Sequence, residues 1–186
     1  MKNISIREMV LISFFAGLTG ILAYIKLPLP FTPVPLTGQT LGVMLSGIIL
    51  GSKLGFISQI IYLLLGIIGL PIFSGGSAGI GIITSHTGGY LWSFPIAAYI
   101  IGLLMEKKRS FDVRWLFLVS IIGGIIVINF FGLIQFSLVL QRSLIESFML
   151  AAAPFLLGDF LKALLAAILG SRLGKAIHPY GKNHDL

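Results

Sequence analysis

From residue 54 to residue 105 the chain carries no Asp, Glu, Lys or Arg, an uncharged run of 52 residues. A membrane-crossing helix takes about 20 apolar residues, so this run holds two crossings and a connector. The same reading over the whole chain gives six apolar segments, at residues 9–25, 27–52 (with the crossing part near 36–50), 54–70, 88–105, 115–140 and 147–169. Composition agrees: 56% of residues are apolar and 10% charged, against about 25% charged in soluble domains. The expected fold class is an all-α membrane protein of six transmembrane helices, with residues 1–186 forming a single integral membrane domain. The segment at 9–25 is long for a signal-peptide core and no small-x-small cleavage site follows it, so it is counted as the first crossing.

The net charge of +7 sits at the ends of the apolar runs, where it sets topology and gives no reason to expect nucleic acid. With the N-terminus inside, Lys2, Arg7, Lys53, Lys107, Lys108, Arg109, Arg114, Arg172, Lys175 and Lys182 are cytoplasmic, and only Lys26 and Arg142 are outside. Ten against two predicts both termini on the cytoplasmic side of the cell membrane. The connectors at 26–36 and 71–87 then face outward, beside the start of the sixth crossing.

That sixth crossing contains an energetic anomaly. In Pro154-Phe-Leu-Leu-Gly-Asp-Phe-Leu-Lys-Ala-Leu-Leu-Ala-Ala167, Asp159 and Lys162 are three residues apart, hence on one face of a helix. A charge at the centre of a bilayer costs roughly 2.5–3.5 kcal/mol on insertion scales, so the two call for each other, a ligand or an aqueous cavity. The outward connectors supply candidates for the rest of a site. The first has four prolines between residues 28 and 35; each removes a backbone donor and fixes φ. The predicted conformation is extended and stiff, folding over the mouth of the bundle, with Thr37, Gln39 and Thr40 where the next helix begins. The second, Ser74-Gly-Gly-Ser-Ala-Gly79 followed by Ser85-His-Thr-Gly-Gly-Tyr90, is too glycine-rich for a good helix. Glycines there let a ligand approach the backbone closely, while Gly88, Gly89 and Tyr90 fit helix packing and interfacial anchoring equally well. His86 alone reads as a polar loop residue.

Several functions are excluded. Gly47-Ile-Ile-Leu-Gly-Ser-Lys53 has the wrong glycine spacing for a phosphate-binding loop and no Ser or Thr after the lysine, so the chain is not expected to hydrolyse ATP. It has no H-E-x-x-H, no G-x-S-x-G and no cysteine. With Asp159 the only acidic residue in the membrane interior, no metal, other cofactor or enzymatic activity is expected. In the first crossing, Ser13/Gly17, Ala16/Gly20 and Thr19/Ala23 form a small-x-x-x-small face, suited to packing within the bundle or to docking on another membrane protein.

Four segments in order, Phe31-Thr-Pro-Val-Pro-Leu-Thr-Gly-Gln-Thr-Leu-Gly-Val43, Gly69-Leu-Pro-Ile-Phe-Ser-Gly-Gly76, Thr87-Gly-Gly-Tyr90 and Gly158-Asp-Phe-Leu-Lys162, resemble the BioY family, the biotin-binding S components of energy-coupling-factor (ECF) transporters. The resemblance implies a six-helix S component that takes up biotin from the outer side. It also implies partners: a transmembrane coupling subunit and two cytoplasmic ATPases, with the S component toppling in the membrane and ATP hydrolysis resetting it. The family's Asp-x-x-Lys falls on Asp159 and Lys162, and its Thr-Gly-Gly-Tyr on Thr87, Gly88, Gly89 and Tyr90. His86 stands where the family commonly has proline, and the Ala-x-x-x-Ala docking face becomes Ala16/Gly20. In such a site Lys162 is expected to meet the biotin carboxylate and Asp159 the ureido N–H groups, or Asp159 to do no more than orient Lys162. Gln39, Ser77, Thr87 and His86 would serve other polar groups, and Tyr90 and Phe73 the apolar ring. The alternatives are an S component for another vitamin, a small ion or solute channel lined by the two charges, and a structural subunit whose charges only neutralise each other.

Overall fold

The first helix starts where a capping box puts it. Ser5 Oγ accepts from the Glu8 N–H while the Glu8 carboxylate accepts from the Ser5 N–H at 2.6 Å, and α1 (Ile6–Leu22) follows. The computed structural model describes residues 4–108 and 110–177; Lys2, Arg109 and Lys182, three of the basic residues behind the expected orientation, lie outside the described residues. After α1, strand β1 (Lys26–Leu27) pairs antiparallel with β2 (Leu36–Thr37), Lys26 opposite Thr37 and Leu27 opposite Leu36. The expected extended connector is therefore closed into a loop. Its four prolines all lie between the two strands, where no ladder bond is lost.

Helical stretch α2 (Gln39–Ile67) runs for 29 residues but turns at Gly51, φ 78° and ψ −173°. At about 1.5 Å rise per residue, Gln39 and Tyr62 would be about 34 Å apart in a straight helix. Instead Gln39 Nε2 donates to the Tyr62 hydroxyl at 2.5 Å, and Gln59 Nε2 to Ser46 Oγ at 3.1 Å. The stretch is thus a hairpin of two antiparallel arms, 39–50 and 52–67, as the second and third apolar segments predict. The connector after it holds one short 3₁₀ turn (Ser74–Gly76) and the short helix α3 (Ile80–Thr84).

Helix α4 (Gly88–Lys108) is followed by one rod made of α5 (Val113–Ser120), a π-helical stretch (Ile121–Val127) and α6 (Ile128–Leu140). A second capping box, Ser143 with Glu146, opens α7 (Leu144–Ala151). The single crossing expected at 147–169 is broken. Ala152 leaves helical geometry (φ −132°, ψ −55°), a 3₁₀ turn spans Ala153–Phe155, and α8 (Leu156–Ile177) carries Asp159 in its first turn. Pro154 has no N–H to continue the helix, which accounts for the position of the break.

Among the described residues four stretches are long and apolar enough to cross a membrane: Gln39–Ile67, Gly88–Lys108, Val113–Leu140 and Leu144–Ile177. The first of these is the hairpin, and α1 is shorter, at 17 residues. Large apolar side chains cover the outside, among them Ile6, Ile68, Ile145 and Leu157, as a lipid-facing surface requires. Inside, Met44, Ile48, Ile101, Leu116, Val119 and Ala166 form one core, and Val43, Tyr62, Phe94 and Ala97 a second.

Contacts sort the two ends of the bundle. Arg7 donates to the Ile177 carbonyl at 3.0 Å, and Glu106 accepts from the Ser52 N–H and hydroxyl at 2.8 and 2.7 Å. Ser171 Oγ donates to the Phe111 carbonyl at 2.7 Å, and Lys108 lies 4.6 Å over the Trp115 ring. These pairs gather the start of α1, the α2 turn, the end of α4, the start of α5 and the end of α8 at one end. The β1–β2 loop and the 71–87 connector meet at the other, where the Gly75 N–H donates to the Ala23 carbonyl at 3.0 Å.

Candidate functional site

At the loop-covered end lies a cavity of about 390 Å³. Its walls come from the β1–β2 loop, the first arm of α2, the 74–87 connector, α4, the π–α6 rod, the α7–α8 break and α8. Ligand pockets fall in the range of about 300–1,000 Å³ and combine apolar walls with a few placed polar groups. Val34, Leu36, Leu91, Phe94, Ile128 and Phe155 give this one its apolar surface.

Asp159 and Lys162 face into it as one unit. Lys162 Nζ is 2.7 Å from Asp159 Oδ1, with side chains 14% and 9% exposed, and it donates to the Thr37 carbonyl at 3.1 Å. Two of the ammonium's three hydrogens are thereby engaged. The carboxylate is in the first turn of α8, where the helix dipole favours negative charge. The spacing read from sequence has produced a compact ion pair, whose charges cannot serve two distant ends of a ligand.

The other expected residues divide. Gln39, Ser77, His86, Thr87 and Tyr90 line the cavity with the pair. Gln39 also accepts from Thr37 Oγ1 at 2.9 Å, and the Tyr62 hydroxyl it donates to passes a bond on to the Ile72 carbonyl at 3.0 Å. This relay ties the β1–β2 loop and the 71–87 connector to the α2 hairpin. Tyr90 donates to the Ala151 carbonyl at 2.6 Å, a group freed by the break after α7, which leaves the ring to form wall. The remaining residues lie elsewhere. Phe73 is fully buried with its ring edge-on to Tyr62. Gly88 and Gly89 are packing positions, where a side chain would overlap the Ile83 carbonyl and the Phe131–Gly132 backbone. Ala16 and Gly20, expected on a docking face, are inside the bundle: Ala16 is 2% exposed and Gly20 packs on Ile72. The outward small pair of α1 is Ser13/Gly17.

Among the described residues three buried wall atoms have no protein hydrogen-bond partner: Thr40 Oγ1, Ser74 Oγ and His86 Nε2. Sequence reasoning missed Asn129, an amide in the wall whose Nδ2 donates to the Ile125 carbonyl at 2.9 Å. It also missed Gln135, which stands behind the wall. Its Nε2 donates to the Ile83 and Ser85 carbonyls at 2.8 and 2.7 Å, its Oε1 accepts from Trp92 Nε1 at 2.7 Å, and the 83–87 segment is held in place. The available signal was that these are two of the few polar side chains in the apolar run at 115–140, and intramembrane polar groups face the interior. Among the described residues no group of three His, Asp or Glu side chains could hold a metal ion.

Fold and cavity define the class: a small multi-pass protein of the cell membrane, built around an interior cavity where the β1–β2 loop and the 71–87 connector meet. The chain belongs to the BioY family, whose model matches residues 1–179. It is 38% identical over 173 residues to the biotin transporter BioY of Rhizobium etli, covering 89% of this chain and 92% of that one. It is 39% identical over 168 residues to the probable biotin transporter BioY of Pyrococcus horikoshii, covering 90% and 96%. A 2.1 Å crystal structure of the S-component for biotin from an ECF-type ABC transporter matches with a TM-score of 0.88 and 29% identity, over 94% of this chain and 95% of that chain. The family expected from the four sequence segments is thus the family found.

Proposed function

We propose that this chain is the biotin-binding S component of an ECF-type ABC transporter, acting as one substrate-binding domain in biotin uptake across the cell membrane. The observation that carries the reading is the likeness, over nearly the whole of both chains, to a biotin S-component, in a chain whose cavity centres on a buried Asp–Lys pair. Biotin offers a ureido group, an apolar bicycle and a carboxylate tail. The ureido places N–H donors and a carbonyl acceptor side by side, and a paired carboxylate and ammonium match both at once. Asp159 accepts from ureido N–H, and the third Lys162 hydrogen goes to the ureido oxygen. This assignment replaces the expectation that Lys162 meets the carboxylate. Tyr90 and Phe94 bound the ring, and Ser77, Thr87, His86 and Asn129 reach its polar edges. A thermal-shift screen of the detergent-purified chain tests the reading: saturating biotin raises the unfolding temperature, and riboflavin and thiamine do not. At a hundred times Kd the ligand adds about 2.7 kcal/mol. A shift with either other vitamin and none with biotin would reject it.

Counting the arms of α2 separately gives six membrane segments, and we place the end with Arg7, Lys53, Lys107 and Lys108 in the cytoplasm. The cavity then opens outward. The chain has no native cysteine, so single Arg142→Cys and Lys107→Cys variants report directly: an impermeant thiol reagent on whole cells labels the first and spares the second. The reverse pattern inverts the topology. Energy comes from partners, a membrane coupling subunit with two cytoplasmic ATPases, since the chain carries no phosphate-binding loop of its own.

A further inference from the structure

Among the described residues three charged side chains line the cavity: Lys26, Asp159 and Lys162. The last two cancel, being 2.7 Å apart. An anionic ligand whose carboxylate met only that pair would gain no net counter-charge, and would face Asp159 as a like charge. Lys26 leaves the wall one positive charge in excess, which balances a monocarboxylate.

Its placement fits that role. Lys26 opens β1 with its Cα opposite Thr37, the residue whose carbonyl holds Lys162. A lysine at the edge of a membrane ordinarily extends toward the headgroups. This one folds across the Ser74–Gly76 turn: a Cβ built on Gly75 would lie 2.8 Å from Lys26 Cδ and 3.1 Å from Nζ. Gly75 has φ +67°, so glycine both permits the turn and clears the lysine stem. Lys26 is exposed at the rim and lines the same cavity as Ser77 and Ser74, whose Oγ has no partner among the described residues. No hydrogen bond or ion pair holds Lys26 Nζ among the described residues.

We infer that Lys26 is the cation that receives the ligand's carboxylate at the cavity mouth, with the ureido end inward at Asp159 and Lys162. The inference rests on the biotin reading and adds the orientation of the ligand. Biotin then enters ring first, and the tail charge stays at the rim, where part of its hydration is kept.

Equilibrium binding of biotin and of uncharged biotin methyl ester to the purified full chain tests it. The wild type prefers biotin by about tenfold, the size of one added charge-assisted contact. Lys26→Met weakens biotin by about the same factor while the ester, with no charge to meet, changes by less than about twofold. The preference collapses, and continued ester binding shows that the variant is folded. Gly75→Ala, which displaces the lysine stem and leaves its charge, produces the same collapse. Lys26→Met with the wild-type preference intact overturns the inference, as does a preference that disappears in Lys162→Met and survives in Lys26→Met. A wild type that binds neither compound removes the biotin reading itself, and the inference with it.

Discussion

Asp159→Asn and Lys162→Met each lower the affinity for biotin by about ten- to a hundredfold, while the apolar double replacement Asp159→Leu/Lys162→Met recovers stability without recovering binding. The pair is largely buried, its ions are 2.7 Å apart, and Thr37 and the α8 dipole complete its surroundings. Removing one partner of a buried pair costs about 3–5 kcal/mol of folding stability, because the survivor is left uncompensated. The lost charge-assisted bond to the ligand separately costs about 1.5–3 kcal/mol of affinity, and each 1.4 kcal/mol is about tenfold. The single variants therefore unfold at lower temperature as well as binding poorly. Replacing both ions by apolar groups of similar volume removes the uncompensated charge, and such replacements are commonly neutral or stabilising. A pair that served only to hold α8 against the β1–β2 loop would leave the double variant binding normally. Titration calorimetry and thermal unfolding on the same samples separate the cases. Biotin affinity in the double variant within about threefold of wild type would take the pair out of the site.

The pair was legible from spacing alone, because three residues on a helix fix a shared face whatever the tertiary structure. The α2 turn was legible through Lys53, a charge that ends one apolar run and starts the next. What stayed hidden depends on contacts between distant segments. Ala151-Ala-Ala before Pro154 is good helix sequence, and the break there leaves a carbonyl that Tyr90, 61 residues earlier, satisfies. Ala16/Gly20 and Ser13/Gly17 have identical spacing, and only the second arm of α2 and Ile72 decide which pair is covered. Phe73 sits in a glycine-rich connector that looked ligand-facing, yet its ring fills the space between Tyr62 and Gly66. Sequence places Lys26 at a membrane edge, the position of a topology residue, and says nothing of which way its stem folds.

Gly51→Ala lowers stability by about 2–4 kcal/mol, a large share of the 5–15 kcal/mol typical of a folded chain. Two effects add. At φ 78° and ψ −173° the backbone occupies a region open essentially to glycine alone, and a side chain there costs about 1–3 kcal/mol. The new Cβ would also lie 2.9 Å from Glu106 Oε1, the atom that accepts from both Ser52 N–H and Ser52 Oγ. That carboxylate caps the second arm of α2 and fastens the turn to the end of α4, so displacing it leaves the Ser52 N–H without its acceptor at a half-buried corner. For a chain of this length each kcal/mol moves Tm by about 2–4 °C, and the expected fall is about 4–16 °C. Glu106→Gln keeps the turn and weakens only the cap, so its fall is smaller. The effect reaches the cavity at the opposite end, because the turn is what brings Tyr62 back to Gln39. Gly17→Ala is the matched control: the same methyl is added on a helical backbone with nothing within 4 Å. There alanine is neutral or raises stability by about 0.5–1 kcal/mol through helix propensity. Equal unfolding temperatures for Gly51→Ala and Gly17→Ala would mean that α2 does not depend on its turn.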